Sequence, residues 1–171
     1  MAVTGMALVL FLTFHMSMNV VALFSGEAYN MICEMLGANW YAVAATGGLA
    51  LLAVLHILYA FILNYQNRRA RGSNPYKVTE KPEKVEWASQ NMLVLGIIIC
   101  LGLILHLYNF WWNMMFAELF PQIHYDPAPA DGFAKIVNTF SNPCYVVLYI
   151  IWLLAIWCHL THGFWSAMQT L

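Results

Sequence analysis

Four histidines stand near the middle of four long apolar stretches, and their type and spacing make them the residues best suited to chemistry. They are His15, His56, His106 and His159, one in each stretch. An ionisable side chain at mid-membrane depth is costly, so its presence indicates a function. A neutral imidazole is also a common metal ligand. One histidine on each of four helices is the pattern that holds two haems, each iron bound between two imidazoles inside a bundle.

The composition indicates that these stretches cross a membrane. Of the 171 residues, 62% are hydrophobic and 9% are charged, whereas a soluble domain carries about 25% charge. Each stretch has about 20 residues or more, enough to cross roughly 30 Å of hydrocarbon. We therefore predict an all-α membrane protein, a transmembrane helix bundle with four spans that encloses two haems. The net charge of −1 gives no reason to expect a nucleic-acid partner.

The chain is predicted to form one domain, residues 1–171, with a basic loop in its middle. The predicted helices cover about 2–24, 39–65, 89–117 and 144–168. The segment 1–24 is interpreted as a retained helix, because it lacks the basic start of a signal peptide. Residues 25–37 are predicted as a short connection and 118–143 as a proline-containing loop. Loop 66–88 contains six of the seven basic residues, namely Arg68, Arg69, Arg71, Lys77, Lys81 and Lys84. Cytoplasmic loops carry the Lys/Arg excess, so loop 66–88 is predicted inside and the other two outside.

Depth along the predicted helices groups the histidines into two pairs. His15 and His106 share an outer level, and His56 and His159 share an inner one. Counted from the predicted helix ends, the two levels differ by roughly five residues, or about 8 Å. His162 competes with His159 because both face roughly one side of the last helix. His124, among prolines in the outer loop, is interpreted as solvated.

Glycines and cysteines refine this picture. Gly5 and Gly96 are expected toward the inner pair, and Gly47 and Gly48 near the outer pair, where a glycine would let a flat ring approach the backbone. Simple packing of small residues between membrane helices explains the same glycines equally well. The four cysteines form no CxxC pair and no CxxCH attachment motif, so any haem is b-type. Cys33 and Cys144 both lie near the predicted outer face, where two free thiols are expected and a disulfide is the alternative.

Several motifs resemble one family of membrane cytochromes. They are TG ahead of His15, HxxxN from His15 to Asn19, HILYAFILNYQNRRARG from His56, SQNMLVLG leading to His106-Leu-Tyr, and HLTHGFW from His159. Together they resemble the di-haem cytochrome b subunit that anchors succinate dehydrogenase or fumarate reductase, in the single-polypeptide form of Bacteroides-like bacteria. The family usually has a fifth helix and a polar segment before the first, so we expect a shortened chain with one side of the bundle uncovered.

The resemblance implies that the chain is a subunit of a succinate:quinone oxidoreductase. This enzyme would lie in the bacterial cytoplasmic membrane and act in the tricarboxylic acid cycle. His15 and His106 would hold the distal haem b, and His56 and His159 the proximal one. His159 is preferred to His162 because the family's ligand lies four residues before the glycine of HxxxG. An FAD-containing flavoprotein would carry out the dicarboxylate chemistry, and an iron–sulfur subunit would dock with it on the cytoplasmic face. This multi-pass subunit would pass electrons to or from membrane quinone, with menaquinone expected.

Polar residues near the two membrane surfaces are candidates for further contacts. Glu27 and Glu34 are expected in a quinone or proton route near the outer haem; Asn30, Asn39 and Trp40 are neighbouring candidates. Ordinary loop and interface positions are the alternative for this group. Near the inner edge, contacts to haem propionates are expected from Trp87, Ser89, Gln90 and His162, with Asn91 nearby. An interfacial aromatic belt and a helix cap are the alternative there.

Two other functions fit part of the pattern. A cytochrome b anchor of a hydrogenase, formate dehydrogenase or nitrate reductase would also transfer electrons, but such subunits often place two ligands on one helix. A metal or proton transporter that uses membrane histidines would need a continuous polar path. The cores of the four predicted helices contain no Asp, Glu, Lys or Arg, which argues against a transporter.

Overall fold

A computed structural model describes residues 1–37, 39–72, 87–122 and 127–171, and these residues form helices and no strands. Among the described residues, four helical segments are long and apolar enough to cross a membrane. They are α1 (Ala2–Val20) with a 3₁₀ turn (Val21–Leu23), α3 (Trp40–Arg71), α5 (Met92–His106) continued by a π-helix (Leu107–Phe116) and α6 (Ala117–Leu119), and α8 (Pro143–Thr170). The prediction of an all-α transmembrane bundle with four spans is confirmed.

Two amphipathic helices lie where the sequence predicted only connections. They are α2 (Gly26–Leu36) and α7 (Gly132–Phe140), and both begin with a capping side chain. The Ser25 hydroxyl accepts a hydrogen bond from the Ala28 N–H at 3.1 Å, and the Asp131 carboxylate accepts one from the Ala134 N–H at 3.0 Å. The prediction of a short connection across 25–37 and of a loop across 118–143 missed these two helices. Pro121, Pro127 and Pro129 precede α7 and Pro143 begins α8, so none of them interrupts a helix.

Helices α2 and α7 pack against each other and cover one end of the bundle, which is called the cap end below. The Asn30 side chain joins them. Its amide donates to the Asp131 carboxylate at 2.8 Å, and its carbonyl accepts the Phe133 N–H at 2.8 Å. The opposite end, where α3 reaches its arginines, is called the basic end.

The α3 helix continues six residues beyond its predicted end at residue 65. Arg68 and Arg69 are therefore on a helix, and their assignment to an irregular loop was wrong. The apolar pattern stops near Tyr65, but the following residues are good helix formers. The helix ends at Gly72, whose φ of 66° favours glycine. A short helix, α4 (Trp87–Gln90), precedes α5. Lys77, Lys81, Lys84 and His124 lie outside the described residues.

The order of the spans around the bundle follows from their packing. Helix α1 packs against both α3 and α8, and α5 packs against α8. This gives the order α3, α1, α8, α5 around the bundle. Near the cap end, the Thr46 hydroxyl of α3 lies 3.5 Å from the Met115 sulfur of the π-helix, which brings the first and last members together. Helices α1 and α5 therefore face each other across one diagonal, and α3 and α8 across the other.

Candidate functional site

The four histidines meet in two pairs across these diagonals. The ring centres of His15 on α1 and His106 on α5 lie 5.8 Å apart. Those of His56 on α3 and His159 on α8 lie 6.4 Å apart. The structure thus brings together the same pairs that the depth argument predicted. Whether they are ligands is a separate question.

The separation within each pair suits one metal ion between two imidazoles. With a metal–nitrogen distance of about 2 Å and roughly 1 Å from nitrogen to ring centre, two opposed imidazoles have centres about 6 Å apart. Within the described residues, no group of three or more His, Cys, Asp or Glu side chains could hold a bare metal ion. Two axial imidazoles are nevertheless sufficient for a haem, whose porphyrin supplies the other four nitrogens.

The levels of the two pairs differ more than predicted. Nδ1 of His56 lies 3.1 Å from the Thr4 hydroxyl, and Thr4 precedes His15 by eleven residues on α1. Eleven residues of α-helix span about 16 Å, so the expected separation of about 8 Å was wrong. The helices do not end at a common level. Helix α3 continues fifteen residues past His56, whereas α1 begins two residues before Thr4.

Aromatic side chains surround His106. Its ring centre lies 5.3 Å from that of Phe110, 6.2 Å from that of Tyr149 and 5.4 Å from that of Trp152. The Trp152 indole N–H donates to the Ile99 carbonyl at 3.0 Å, which fixes the ring beside the histidine. These partners were missed by the sequence reasoning, because the spans are apolar on all sides and give no signal of which face points inward.

The π-helix begins directly after His106 and contributes to this environment. Asn113 stabilises it by donating to the carbonyl of Tyr108, five residues earlier, at 2.9 Å. Asn109 is buried and donates to the Tyr149 hydroxyl at 3.3 Å. Segments of π-helix often occur at functional sites. Here the segment presents Phe110 to His106 and Asn109 to α8.

Nδ1 of His106 and Nδ1 of His159 are buried and have no hydrogen-bond partner among the described residues. A structural histidine between membrane helices would normally be satisfied by such a bond. At Nδ1 of these two residues, no such bond is formed among the described residues. Four neutral imidazoles in two facing pairs are a donor set that fits haem iron.

A hydrogen-bonded path runs from the cap end to His15. The buried Tyr29 hydroxyl of α2 donates to the Asn19 side-chain carbonyl at 3.1 Å. The Asn19 amide donates to the His15 backbone carbonyl at 2.8 Å and lies 3.4 Å from Nε2 of the same residue. Burial raises the pKa of Tyr29, and burial also raises the pKa of the neighbouring Cys33 thiol. Asn19 was noted in the HxxxN motif, but its link to Tyr29 was not foreseen.

The outer acids lie in a cleft at the cap end. Glu27 and Glu34 are exposed, and with Asn30 and Asp131 they line a cleft of about 350 Å³. The N–H of Ala134 and then the Asn30 amide hold the pKa of the Asp131 carboxyl below its ordinary value. The path that reaches His15 starts at Tyr29, so a role for Glu27 or Glu34 in proton transfer stays a prediction.

Asn39 and Trp40 are exposed at the start of α3. The Asn39 amide donates to the Met35 carbonyl at 2.7 Å, which joins α2 to α3. A role for Asn39 or Trp40 near a quinone stays a prediction.

The candidates at the basic end occupy α4 and the last turns of α8. Trp87 and Gln90 are exposed and Ser89 is half-buried, while the Asn91 amide donates to the Trp87 carbonyl at 2.9 Å. His162 is half-buried about one turn beyond His159. Contacts from these residues to haem propionates stay a prediction.

The glycines divide into two groups. A Cβ atom on Gly5 would lie 3.5 Å from Cε1 of His56, so Gly5 does lie beside the inner pair. For Gly47, Gly48 and Gly96, such a Cβ would meet no atom of the described residues within 4 Å beyond its own stretch of helix. These three positions have open space beside them, and an added Cβ there would not reach either histidine pair. The four cysteines are free, as predicted.

No protein-family model, curated protein or solved structure matches this chain. The class is defined by the fold and the site alone: a multi-pass transmembrane helix bundle with two histidine pairs across its diagonals.

Proposed function

We propose that the chain is the cytochrome b membrane anchor of a succinate dehydrogenase or fumarate reductase, with two haems b that carry electrons between an iron–sulfur subunit and quinone. The proposal rests on the two histidine pairs. The ring centres lie 5.8 Å apart in the His15–His106 pair and 6.4 Å apart in the His56–His159 pair. Each pair has the spacing of two axial ligands, and the pairs lie at two levels about 16 Å apart along the bundle. The motifs around the histidines supply the choice of this family.

The chain's own residues would bind and orient the two groups. His15 with His106, and His56 with His159, would hold one haem each, and a bound haem supplies one-electron redox chemistry. The apolar spans exclude water and charge from this region, so that the imidazoles remain neutral and available as ligands. Phe110, Tyr149 and Trp152 hold the His106 ring in place.

The two ends of the bundle suggest where the partners bind. Arg68 and Arg69 extend α3 at the basic end, which the distribution of Lys and Arg predicts to be cytoplasmic. We place the iron–sulfur subunit and the FAD-containing flavoprotein there, next to the His56–His159 pair. Quinone, with menaquinone expected, would bind at the cap end near the His15–His106 pair. The bacterial cytoplasmic membrane is the location that goes with this assembly.

The alternative anchor functions fit less well. One ligand from each of four helices differs from the arrangement with two ligands on one helix that hydrogenase and formate dehydrogenase anchors often use. A transporter would need polar groups along its path, and the cores of the four spans contain no charged residue. An anchor for succinate dehydrogenase or fumarate reductase therefore remains the preferred function.

A haem count on the purified membrane complex tests the proposal. A pyridine haemochrome assay should give about two haems b per chain, and the reduced-minus-oxidised spectrum should show low-spin, six-coordinate iron. Copurification with a flavoprotein that oxidises succinate or reduces fumarate distinguishes this complex from other anchors. A chain that binds no haem, or a single one, would contradict the proposal.

A further inference from the structure

The Thr4 hydroxyl contacts both its own helix and His56 of the neighbouring helix. Its oxygen lies 2.9 Å from the Met1 carbonyl oxygen and 3.1 Å from Nδ1 of His56. A hydroxyl carries one proton, and a carbonyl can only accept. If the Thr4 hydroxyl donates to the Met1 carbonyl, its oxygen must accept from the Nδ1–H of His56. Only in this arrangement are both contacts hydrogen bonds. The Met1 carbonyl also accepts the Gly5 N–H at 2.9 Å, and its two lone pairs allow both donors.

This arrangement fixes the tautomer of His56. A neutral imidazole carries one proton, and with the Thr4 hydroxyl donating to Met1 that proton lies on Nδ1, so the lone pair is on Nε2. The edge of the ring formed by Nδ1 and Cε1 lies against α1, because Cε1 is 3.5 Å from where a Gly5 Cβ would be. Thr4 thus supplies a hydrogen-bond acceptor for Nδ1, and Gly5 leaves room for the Cε1 edge of the ring.

Among the four paired histidines, His56 is the one whose ring nitrogen contacts a hydroxyl of another span within the described residues. Nδ1 of His106 and Nδ1 of His159 have no partner within the described part of the chain. The contact between His15 and Asn19 is within one helix. Thr4 and His56 are 52 residues apart in sequence, so their hydrogen bond connects two spans.

We infer that Thr4 is a positioning residue for His56, which fixes the imidazole with Nε2 free and makes it a stronger ligand than its partner His159. The inference rests on the proposed function for its consequence at a haem, but the tautomer itself does not depend on it. A ligand histidine that donates its other N–H is more basic, and loss of such a partner typically costs about 10- to 100-fold in metal affinity. A more basic ligand favours the oxidised iron, so Thr4 would lower the reduction potential of the inner haem.

Three variants of the full chain test this inference. Thr4→Val removes the hydroxyl and keeps the shape of the side chain, and Thr4→Ser keeps the hydroxyl. Thr13→Val is the matched control on the same helix, because the Thr13 hydroxyl donates only to the Val9 carbonyl at 2.9 Å within the structure described here. All three, with the wild type, are purified as the intact membrane complex and first assayed for haem.

If the wild type binds two haems, redox titrations of the variants decide the matter. We expect Thr4→Val to keep both haems and to favour reduction of one of them by about tenfold, which is a rise of about 59 mV for one electron. The other haem should titrate as in the wild type, and Thr4→Ser and Thr13→Val should leave both potentials unchanged. Two unchanged potentials in Thr4→Val, or an equal shift in Thr13→Val, would overturn the inference.

If the wild type binds no haem, the proposed function fails and the tautomer is tested directly. The ¹⁵N NMR shifts of labelled histidines distinguish a proton on Nδ1 from one on Nε2. His56 should carry its proton on Nδ1 in the wild type and in Thr4→Ser, and should move toward the Nε2 form in Thr4→Val. The same tautomer distribution in the wild type and in Thr4→Val would overturn the inference.

Discussion

Adding a single methyl group at Gly102 on α5 should strongly disturb the packing around His106. A Cβ atom there would collide with Cδ1, Cγ and Nε1 of the Trp152 ring. These atoms include the base of a rigid side chain, so the ring cannot rotate away cheaply. It would have to leave the Ile99 carbonyl, to which it donates at 3.0 Å, and its position beside His106. Gly102→Ala should therefore disturb the surroundings of His106 as well as the packing of α5 on α8.

The magnitude follows from the packing and from a control in the same helix. Overpacking of this kind costs about 1–3 kcal/mol. A Gly→Ala change in a helix interior also gains up to about 1 kcal/mol. Gly96→Ala shares this gain, but its Cβ would meet open space. The difference in free energy of unfolding between the two variants should thus be about 2 kcal/mol, with Gly102→Ala the less stable.

Denaturant titration of the purified protein in detergent, followed by tryptophan fluorescence and circular dichroism, measures this difference. Gly5→Ala is a second control, since its Cβ would make an ordinary contact of 3.5 Å with His56. Equal stability of Gly102→Ala and Gly96→Ala, within about 0.5 kcal/mol, would refute the packing of Trp152 on Gly102.

Three further predictions concern the histidines and the cap end. His159→Ala should lose the inner haem, whereas His162→Ala should keep both; a pyridine haemochrome assay that gives the reverse would exchange their roles. Asp131→Ala should destabilise the cap end by about 1 kcal/mol in denaturant titrations, and Asp131→Asn by less. The lowered pKa of Asp131 means that its charge contributes stability above the pKa of the unfolded chain. This contribution should be lost as the pH falls through the folded pKa, and a difference between wild type and Asp131→Asn that persists in acid would contradict the linkage. Substituting Glu27 or Glu34 by Gln should preserve haem content and succinate oxidation by a soluble dye while lowering quinone reduction; full quinone activity in both variants would remove these acids from the proton route.

The sequence alone determined the class of the protein, the number of spans and the pairing of histidines by level. A continuous apolar segment of about 20 residues that crosses the hydrocarbon is read as a helix, because a helix bonds its backbone polar groups within the segment. Counting residues from the ends of four apolar stretches was then sufficient to group His15 with His106 and His56 with His159. The cap helices were missed, because α2 and α7 are short and lie in segments that were interpreted as connections between the spans.

Only the tertiary structure decided the distances and the partners of these histidines. The separation of the two levels depends on where neighbouring helices end relative to one another, and α3 extends far past the start of α1. The faces of the spans that point inward cannot be identified from spans that are apolar on all sides. The contact of Thr4 with His56, and that of Trp152 with Gly102 and His106, arise from packing between helices that are far apart in sequence. Such contacts depend on the relative position and rotation of two helices, which no local pattern of residues specifies.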